Sequence, residues 1–252
     1  MRQVTAWWEE MNGEGRRWLL IGKGPSFETR DQFDLRLYTT IGINHVAREM
    51  PVDVTSIVNY EVLADCGAQI ARNSRYLLMP RFPHSIPGDS GPDLETYFGA
   101  FPFLERLSRE GRLIWYNLSS DPLFCDPLTP DPTRRELFVV QNGRFSVSIL
   151  FNLLGALGAQ QVRTLGIDGG RSYASSFADM EGSRKLANGI ASYDYQFEDM
   201  MGTVKRYGFD YAPLTGLTLG QRLRMLGTSP ASGKAVRRFL RRVPLFAPSA
   251  PL

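Results

Sequence analysis

The sequence predicts an α/β protein: a mostly parallel sheet with helices on both faces, built as a single domain over residues 1–215 and followed by a basic C-terminal tail over 216–252. Two observations carry this. Short runs rich in apolar and β-branched residues alternate with longer segments of helical period, the pattern of successive βαβ units joined by right-handed crossovers. Of the 252 residues, 43% are hydrophobic and 22% charged, the balance of a globular chain with a sizeable core.

Taken in order, residues 3–11 fit a short helix, and Arg17–Ile21 fits a first strand that stops at the turn made by Gly22, Gly24 and Pro25. "LRLYTTIGIN" (35–44) and "VDVTSIVNYEVL" (52–63) read as the second and third strands, and "RYLLMP" (75–80) as a short buried fourth. The Pro, Gly, Ser and Asp content of "RFPHSIPGDSGPD" predicts a long loop. From Asp93, an N-cap residue, helical spacing runs towards Gly111, with Pro102 expected to kink or interrupt it. "LIWYNL" (113–118) is a strand, and the segment after it carries four prolines before the strand "LFVVQN" (137–142). "GRFSVSILFNLLGALGAQ" is apolar on nearly every side and reads as a buried helix, followed by a strand at 162–168 and the glycine-rich "DGGRSYASSF". An amphipathic helix over 192–210 and a last short strand, "YAPL", complete the domain.

The longest apolar runs fall short of the roughly 18–20 residues that a membrane-spanning helix requires. The N-terminal "MRQVTAWWEEMNGEG" has acidic residues where a signal peptide would be apolar, so a cytoplasmic location is expected. Cys66 and Cys125 lack the clustered spacing of a zinc site and are expected to be reduced thiols. The net charge of +3 is uneven: seven of the 29 Lys/Arg residues and none of the 26 acidic ones lie from Gly216 onward, leaving the preceding 215 residues at −4.

In a parallel sheet, ligands bind beyond the carboxyl ends of the strands. Polar residues at the predicted strand ends are Gly22 to Ser26, Asn44, His45, Asn59, Glu61, Asn117 to Asp121, Gln141, Asn142 and Asp168 to Tyr173. The strand-end asparagines offer both donors and an acceptor without charge, a chemistry suited to a base or sugar edge. Gly22-Lys23-Gly24-Pro25-Ser26 matches neither the dinucleotide fingerprint nor the P-loop. Its glycines would still admit a ligand to backbone N–H groups, and Ser26 could cap the next helix.

The Gly-x-Gly-Pro-Ser turn, the asparagines ending strands two and three, and "RFSVSILFNLLGALGAQQVRTLGIDGGRSYASSF" together resemble the bacterial sialyltransferases of glycosyltransferase family 42. They also resemble the related Maf-type flagellin glycosyltransferases and MptE-like pyrophosphokinases. The resemblance runs over about 19–214 and is strongest over 144–177. It implies a Rossmann-like single domain, a CMP-sialic acid donor and no metal or other cofactor. It also implies nucleotide-binding roles for Gly22, Lys23, Gly24, Pro25, Ser26, Asn44, Asn59, Ser146, Gly169, Gly170 and Tyr173. Lys23 stands where that family has an asparagine. The second of the family's two phosphate-binding tyrosines corresponds to Tyr173, whereas the first would fall at Gly169 or Gly170, leaving Arg171 or Lys23 as a compensating cation.

The family's catalytic histidine has no counterpart here, since the only histidines are His45 and His84. An inverting transfer still needs a group to accept the acceptor's proton. Asp168, His84, Asp194 and Glu61 are the candidates, with Asp168 preferred and His84 placed on a loop that would lie over the acceptor.

In "KAVRRFLRRVPLF", Val236, Phe239, Leu240 and Val243 share one helical face and Arg237, Arg238, Arg241 and Arg242 the other. Residues 235–246 therefore suit an anionic membrane surface, and nucleic acid is not expected as a partner. The expected function is a glycosyltransferase that uses a nucleotide-sugar donor, CMP-activated and sialic-acid-like or a related acidic sugar, to modify a cell-surface or lipid-linked glycan from the inner face of the membrane. The alternatives are an MptE-like diphosphate transferase, which would need Mg²⁺, and a degenerate protein that binds a nucleotide or glycan without turnover.

Overall fold

The computed structural model describes residues 1–86, 89–90, 92–119, 138–183 and 192–216. The basic tail beyond Gly216, Cys125, the four prolines between 120 and 137, and the first residue of the strand expected at 137–142 lie outside the described residues.

Among the described residues, eleven strands and five α-helices follow one another as β1 (Arg2–Gln3), α1 (Val4–Glu10), β2 (Arg17–Ile21), β3 (Thr39–Ile43), β4 (Val52–Ser56), α2 (Glu61–Asn73), β5 (Ser74–Pro80), β6 (His84–Ile86), β7 (Asp89–Ser90), α3 (Pro102–Arg109), β8 (Leu113–Ser119), β9 (Val139–Gln141), α4 (Ser146–Ala156), β10 (Gln161–Leu165), α5 (Gln196–Tyr207) and β11 (Asp210–Pro213). Among the described residues the main sheet has nine strands in the order β1-β8-β5-β4-β3-β2-β10-β11, with β9 paired to the last residues of β8, and its pairings are parallel. This is a Rossmann-like α/β domain. The chain winds outward from β2 through β3, β4, β5 and β8, then returns to the other side of β2 with β10, so the direction of winding reverses between β2 and β10.

The central strands are buried on both faces, which is why β2 from Trp18 and β5 from Tyr76 read as continuous apolar runs. Successive side chains point to opposite faces. Trp18 and Leu20 of β2 enter a core with Trp7, Trp8, Phe151 and Met200, beneath α1, α4 and α5. Leu19 and Ile21 of the same strand enter a second core with Leu63, Ile70, Leu104 and Phe177, beneath α2 and α3. On the first face the Trp8 ring stacks on Trp18 with centroids 4.9 Å apart, and the Trp18 indole N–H donates to the Gly13 carbonyl at 2.8 Å.

Several expected elements take other forms. The strand expected over 52–63 ends at Ser56, and α2 begins at Glu61. Val62, Leu63, Cys66 and Ile70 form its buried stripe, but no side chain caps its start, so the usual sequence signal of a helix N-terminus is absent. The strand expected over 35–44 is confined to Thr39–Ile43, because Asp34 accepts from the Arg36 N–H and closes a 3₁₀ turn over Leu35–Leu37. The helix expected from Asp93 divides into a 3₁₀ turn over Leu94–Phe98 and α3, in which Pro102 is a first-turn residue, the position where its missing N–H costs nothing. The loop expected over 81–93 contains the small antiparallel pair β6–β7. The helix expected over 192–210 opens with a 3₁₀ turn at Tyr193–Tyr195 before α5, which ends where Gly208 adopts φ +75°. Among the described residues, no helix is long and apolar enough to cross a membrane.

Candidate functional site

A cleft of about 810 Å³ opens at the carboxyl ends of β2, β3, β4 and β10, over the point where the winding reverses. Crevices form at such points because the connections from neighbouring strands leave in opposite directions.

Its floor is made by two glycine turns pressed together. The Gly22 N–H donates to the Leu165 carbonyl at 2.8 Å, and the Gly24 N–H to the Gly166 carbonyl at 2.7 Å. A Cβ on Gly166, where φ is +67°, would sit 2.3 Å from the Gly22 carbonyl oxygen, so no other residue fits without parting the backbones. Ser26 and Asp168 lock the turns from the side. The Gly166 N–H donates to Ser26 Oγ at 2.8 Å, and the Ser26 N–H donates to Asp168 Oδ2 at 2.7 Å. Asp168 thus satisfies an otherwise orphaned donor at the start of the 3₁₀ helix Pro25–Gln32.

The far wall is built from Asn44, Asn59 and Glu61, which follow β3 and β4. Asn44 has φ +56°, a left-handed conformation that asparagine tolerates better than most side chains. The first turn of α4 adds Ser146, and no side chain caps that turn. Beside it Arg144 is anchored to Asp199 at 2.5 Å.

Two arrangements of side chains meet between these walls. Lys23 Nζ lies 3.4 Å from His45 Nδ1 and 4.5 Å from the centre of the Tyr173 ring. His45 Nε2 in turn lies 3.1 Å from the exposed Asp65 carboxylate. Burial lowers the Lys23 pKa to about 8, and burial followed by the nearby Lys23 charge lowers that of His45. The second arrangement is a pair of stacked phenols, Tyr173 and Tyr193, with hydroxyl oxygens 2.9 Å apart. Tyr193 is brought there by two ties to Gly170: its N–H donates to the Gly170 carbonyl at 2.9 Å, and the neighbouring Asp194 side chain accepts at Oδ1 from the Gly170 N–H at 3.1 Å.

Of the residues expected from the sequence, Gly22, Lys23, Gly24, Asn44, Asn59, Ser146, Asp168, Gly169 and Tyr173 line the cleft, and Glu61 joins them. Pro25, Ser26 and Gly170 do not line it; Ser26 instead braces the floor. Asp194 is turned to the Gly170 N–H and Ser192, so it holds a loop rather than facing the cleft. His84 lies on β6.

Sequence reasoning missed Asp65, Tyr193 and Arg144, and named His45 only as a polar strand-end residue, without its partners. The signal for Asp65 was its spacing of four from Glu61, which puts both on one helical face, but that spacing has meaning only once 61–73 is a helix. Tyr193 sits 20 residues from Tyr173, and only the loop-to-loop hydrogen bonds bring the phenols together. Among the described residues, no group of three or more His, Cys, Asp or Glu side chains is placed to hold a metal ion.

No family model and no curated protein matches the chain. Two solved structures are similar to it. One is the sialyltransferase Cst-II in complex with CMP, with TM-score 0.48 and 13% identity over 79% of this chain and 81% of that one. The other is the sialyltransferase CstII from Campylobacter jejuni in complex with a substrate analogue, CMP-3FNeuAc, with TM-score 0.47 and 14% identity over 79% of this chain and 81% of that one.

Proposed function

We propose that the chain is a glycosyltransferase whose cleft takes a nucleotide-sugar donor, CMP-linked and carrying an acidic sugar. The observation that carries this reading is the composition of the cleft's two sides. Uncharged amides, Asn44 and Asn59, stand on one, and paired phenol hydroxyls, Tyr173 and Tyr193, stand on the other beside the glycine turns. Amides read the edges of a base or ribose, while phenol O–H groups donate to a phosphate without a metal. The motif resemblance over 144–177 favours CMP among nucleotides. Tyr193 supplies the second phenol that the sequence lacks beside Tyr173.

In this reading the donor's C–O bond to phosphate breaks as the acceptor oxygen attacks, and CMP leaves with its charge stabilised by donors already in place. An inverting displacement puts the proton acceptor on the side opposite the leaving phosphate. Asp168 adjoins the phosphate side and caps Ser26. Glu61 follows β4, two strand positions from β2, a separation of about 10 Å. We therefore assign the base role to Glu61 in place of Asp168. The acceptor is a cell-surface or lipid-linked glycan, approached from an anionic membrane surface by residues 235–246.

The test is CMP release from a panel of CMP-sugars, with product masses recorded. Release from acidic CMP-sugars is expected, and Glu61→Gln should lower turnover at least tenfold while CMP still binds by calorimetry. Absence of CMP binding to the wild type would sink the nucleotide-sugar assignment.

A further inference from the structure

Among the described residues, Lys23 forms no ion pair with a carboxylate. The groups around its Nζ are an imidazole nitrogen at 3.4 Å, the Met180 sulfur at 4.0 Å and the face of Tyr173 at 4.5 Å, all uncharged or weakly polar. Among the described residues no carboxylate lies within 4.0 Å of it. Asp65 reaches His45 instead, and Asp179 pairs with Arg48 at 3.0 Å. Desolvating an ammonium in this way is unfavourable until an anion arrives to pair with it.

The side chains behind Lys23 fix its aim. The Asp65 carboxylate accepts from His45 Nε2–H, which leaves the Nδ1 lone pair directed at Lys23, and a Lys23 N–H donates to it. His45 is nearly fully buried at the start of the 3₁₀ turn Asn44–Arg48, so its ring is held while the remaining Lys23 N–H groups are available on the cleft side.

We propose that Asp65, His45 and Lys23 form a clamp for a single phosphate group, in which Lys23 is the donor, His45 and Asp65 are positioning residues, and binding of the anion draws one proton from solvent onto Lys23. This rests on the nucleotide-sugar reading only for the identity of the phosphate. It goes beyond that reading in making binding proton-linked. The charged and titratable groups that face Lys23 are His45 and Arg48 from the 44–48 turn, Cys66 and Asp65 from α2, Asp179 from the Ser175–Ser183 turn, and Tyr173; Arg48 disfavours the ammonium, Asp65 and Asp179 favour it, and the Cys66 thiol, pushed up to about 11 by burial, is neutral. A phosphate added to this set raises the affinity of Lys23 for its proton, and the site charges itself as it fills.

The experiment is titration calorimetry of the full chain with CMP in buffers of differing ionisation enthalpy, from pH 7 to pH 9.5. With a free pKa of about 8, roughly three quarters of Lys23 is neutral at pH 8.5, so uptake of about 0.7 proton per bound CMP is expected there, falling towards zero at pH 7 once CMP's own phosphate ionisation, measured separately, is subtracted. Lys23→Met should abolish the uptake. Asp65→Asn removes a charge that favours the ammonium, and should move the uptake profile to lower pH with tryptophan fluorescence unchanged; a purely structural role would leave that profile in place. An unmoved profile in Asp65→Asn would remove the positioning role. CMP bound with no proton uptake by the wild type would overturn the clamp while leaving the nucleotide reading intact. Inorganic phosphate bound with the same uptake, where CMP fails to bind, would uphold the clamp and sink the nucleotide reading. Failure of both probes to bind in the millimolar range would overturn the clamp.

Discussion

Replacing Gly166 by alanine separates the steric demand of the cleft floor from an ordinary loss of glycine. Two costs add at this position. A left-handed φ of +67° costs a residue bearing a Cβ about 1 kcal/mol. The Cβ would also lie 2.3 Å from a backbone carbonyl, well inside contact distance, so the Gly22 and Gly166 turns must part by most of an ångström. The bonds from Gly24 N–H to the Gly166 carbonyl and from Gly166 N–H to Ser26 Oγ are then stretched, at about 1 kcal/mol each. The sum is about 3 kcal/mol, or a fall of roughly 6–12 °C in the melting temperature for a domain of this size. Gly158 is the control: its φ is +83°, yet an added Cβ would meet nothing within 4 Å, so only the conformational cost of about 1 kcal/mol, roughly 2–4 °C, applies. Thermal unfolding followed by near-ultraviolet circular dichroism, which reads the Trp8–Trp18 stack, makes the comparison. Equal losses for Gly166→Ala and Gly158→Ala would refute the claim that the two turns meet in backbone contact.

Tyr173→Phe and Tyr193→Phe should each weaken CMP binding about tenfold, the worth of a hydrogen bond to a charged group, and the double variant should lose less than the product, because the phenols contact one another; calorimetry reads both, and full additivity would count against a shared phosphate. Asn44→Gly should keep or raise stability by relieving φ +56° while weakening CMP binding, whereas Asn44→Ala should lose about 1 kcal/mol of stability as well; matched losses of binding and stability in the Gly variant would show that the amide is structural. Because burial depresses the Lys23 pKa to about 8, the unfolded chain holds that proton more tightly than the folded one does between pH 8 and 10.5. Its contribution to stability is therefore present in full above 10.5 and lost as pH falls to 8, a difference of about 3 kcal/mol between wild type and Lys23→Met in urea unfolding. A pH-independent difference would contradict the burial.

The parallel sheet was legible because strands buried on both faces have no polar side. Trp18–Ile21 and 76–80 stand out as unbroken apolar runs that stop at Gly22 and after Pro80. What the sequence concealed was the second half of each site partnership. The stretch 52–63 is apolar enough to pass for one long strand, and reading it so hides α2 and with it the Glu61–Asp65 spacing and the partner of His45. Asp168 and Ser26 were each visible as polar strand-end residues, but that they spend their polar atoms on one another's loops is a fact of tertiary register. Tyr193 was hidden for the same reason: its place is set by its own N–H and the Asp194 carboxylate, both bonded to Gly170, which leave no trace in local composition.

The strand order has a consequence for how the cleft comes into being. β2 lies beside β10, although about 140 residues separate them in the chain. A chain emerging from the ribosome can lay down β2, β3, β4, β5 and β8 against one another while Gly22 still lacks the turn it presses against. Contacts of such long separation form late, because closing the intervening chain costs entropy before any contact rewards it. Binding competence should thus appear as one of the last events of folding, after most of the sheet is paired. A chain stopped before Gln161 would carry the asparagine wall without a floor.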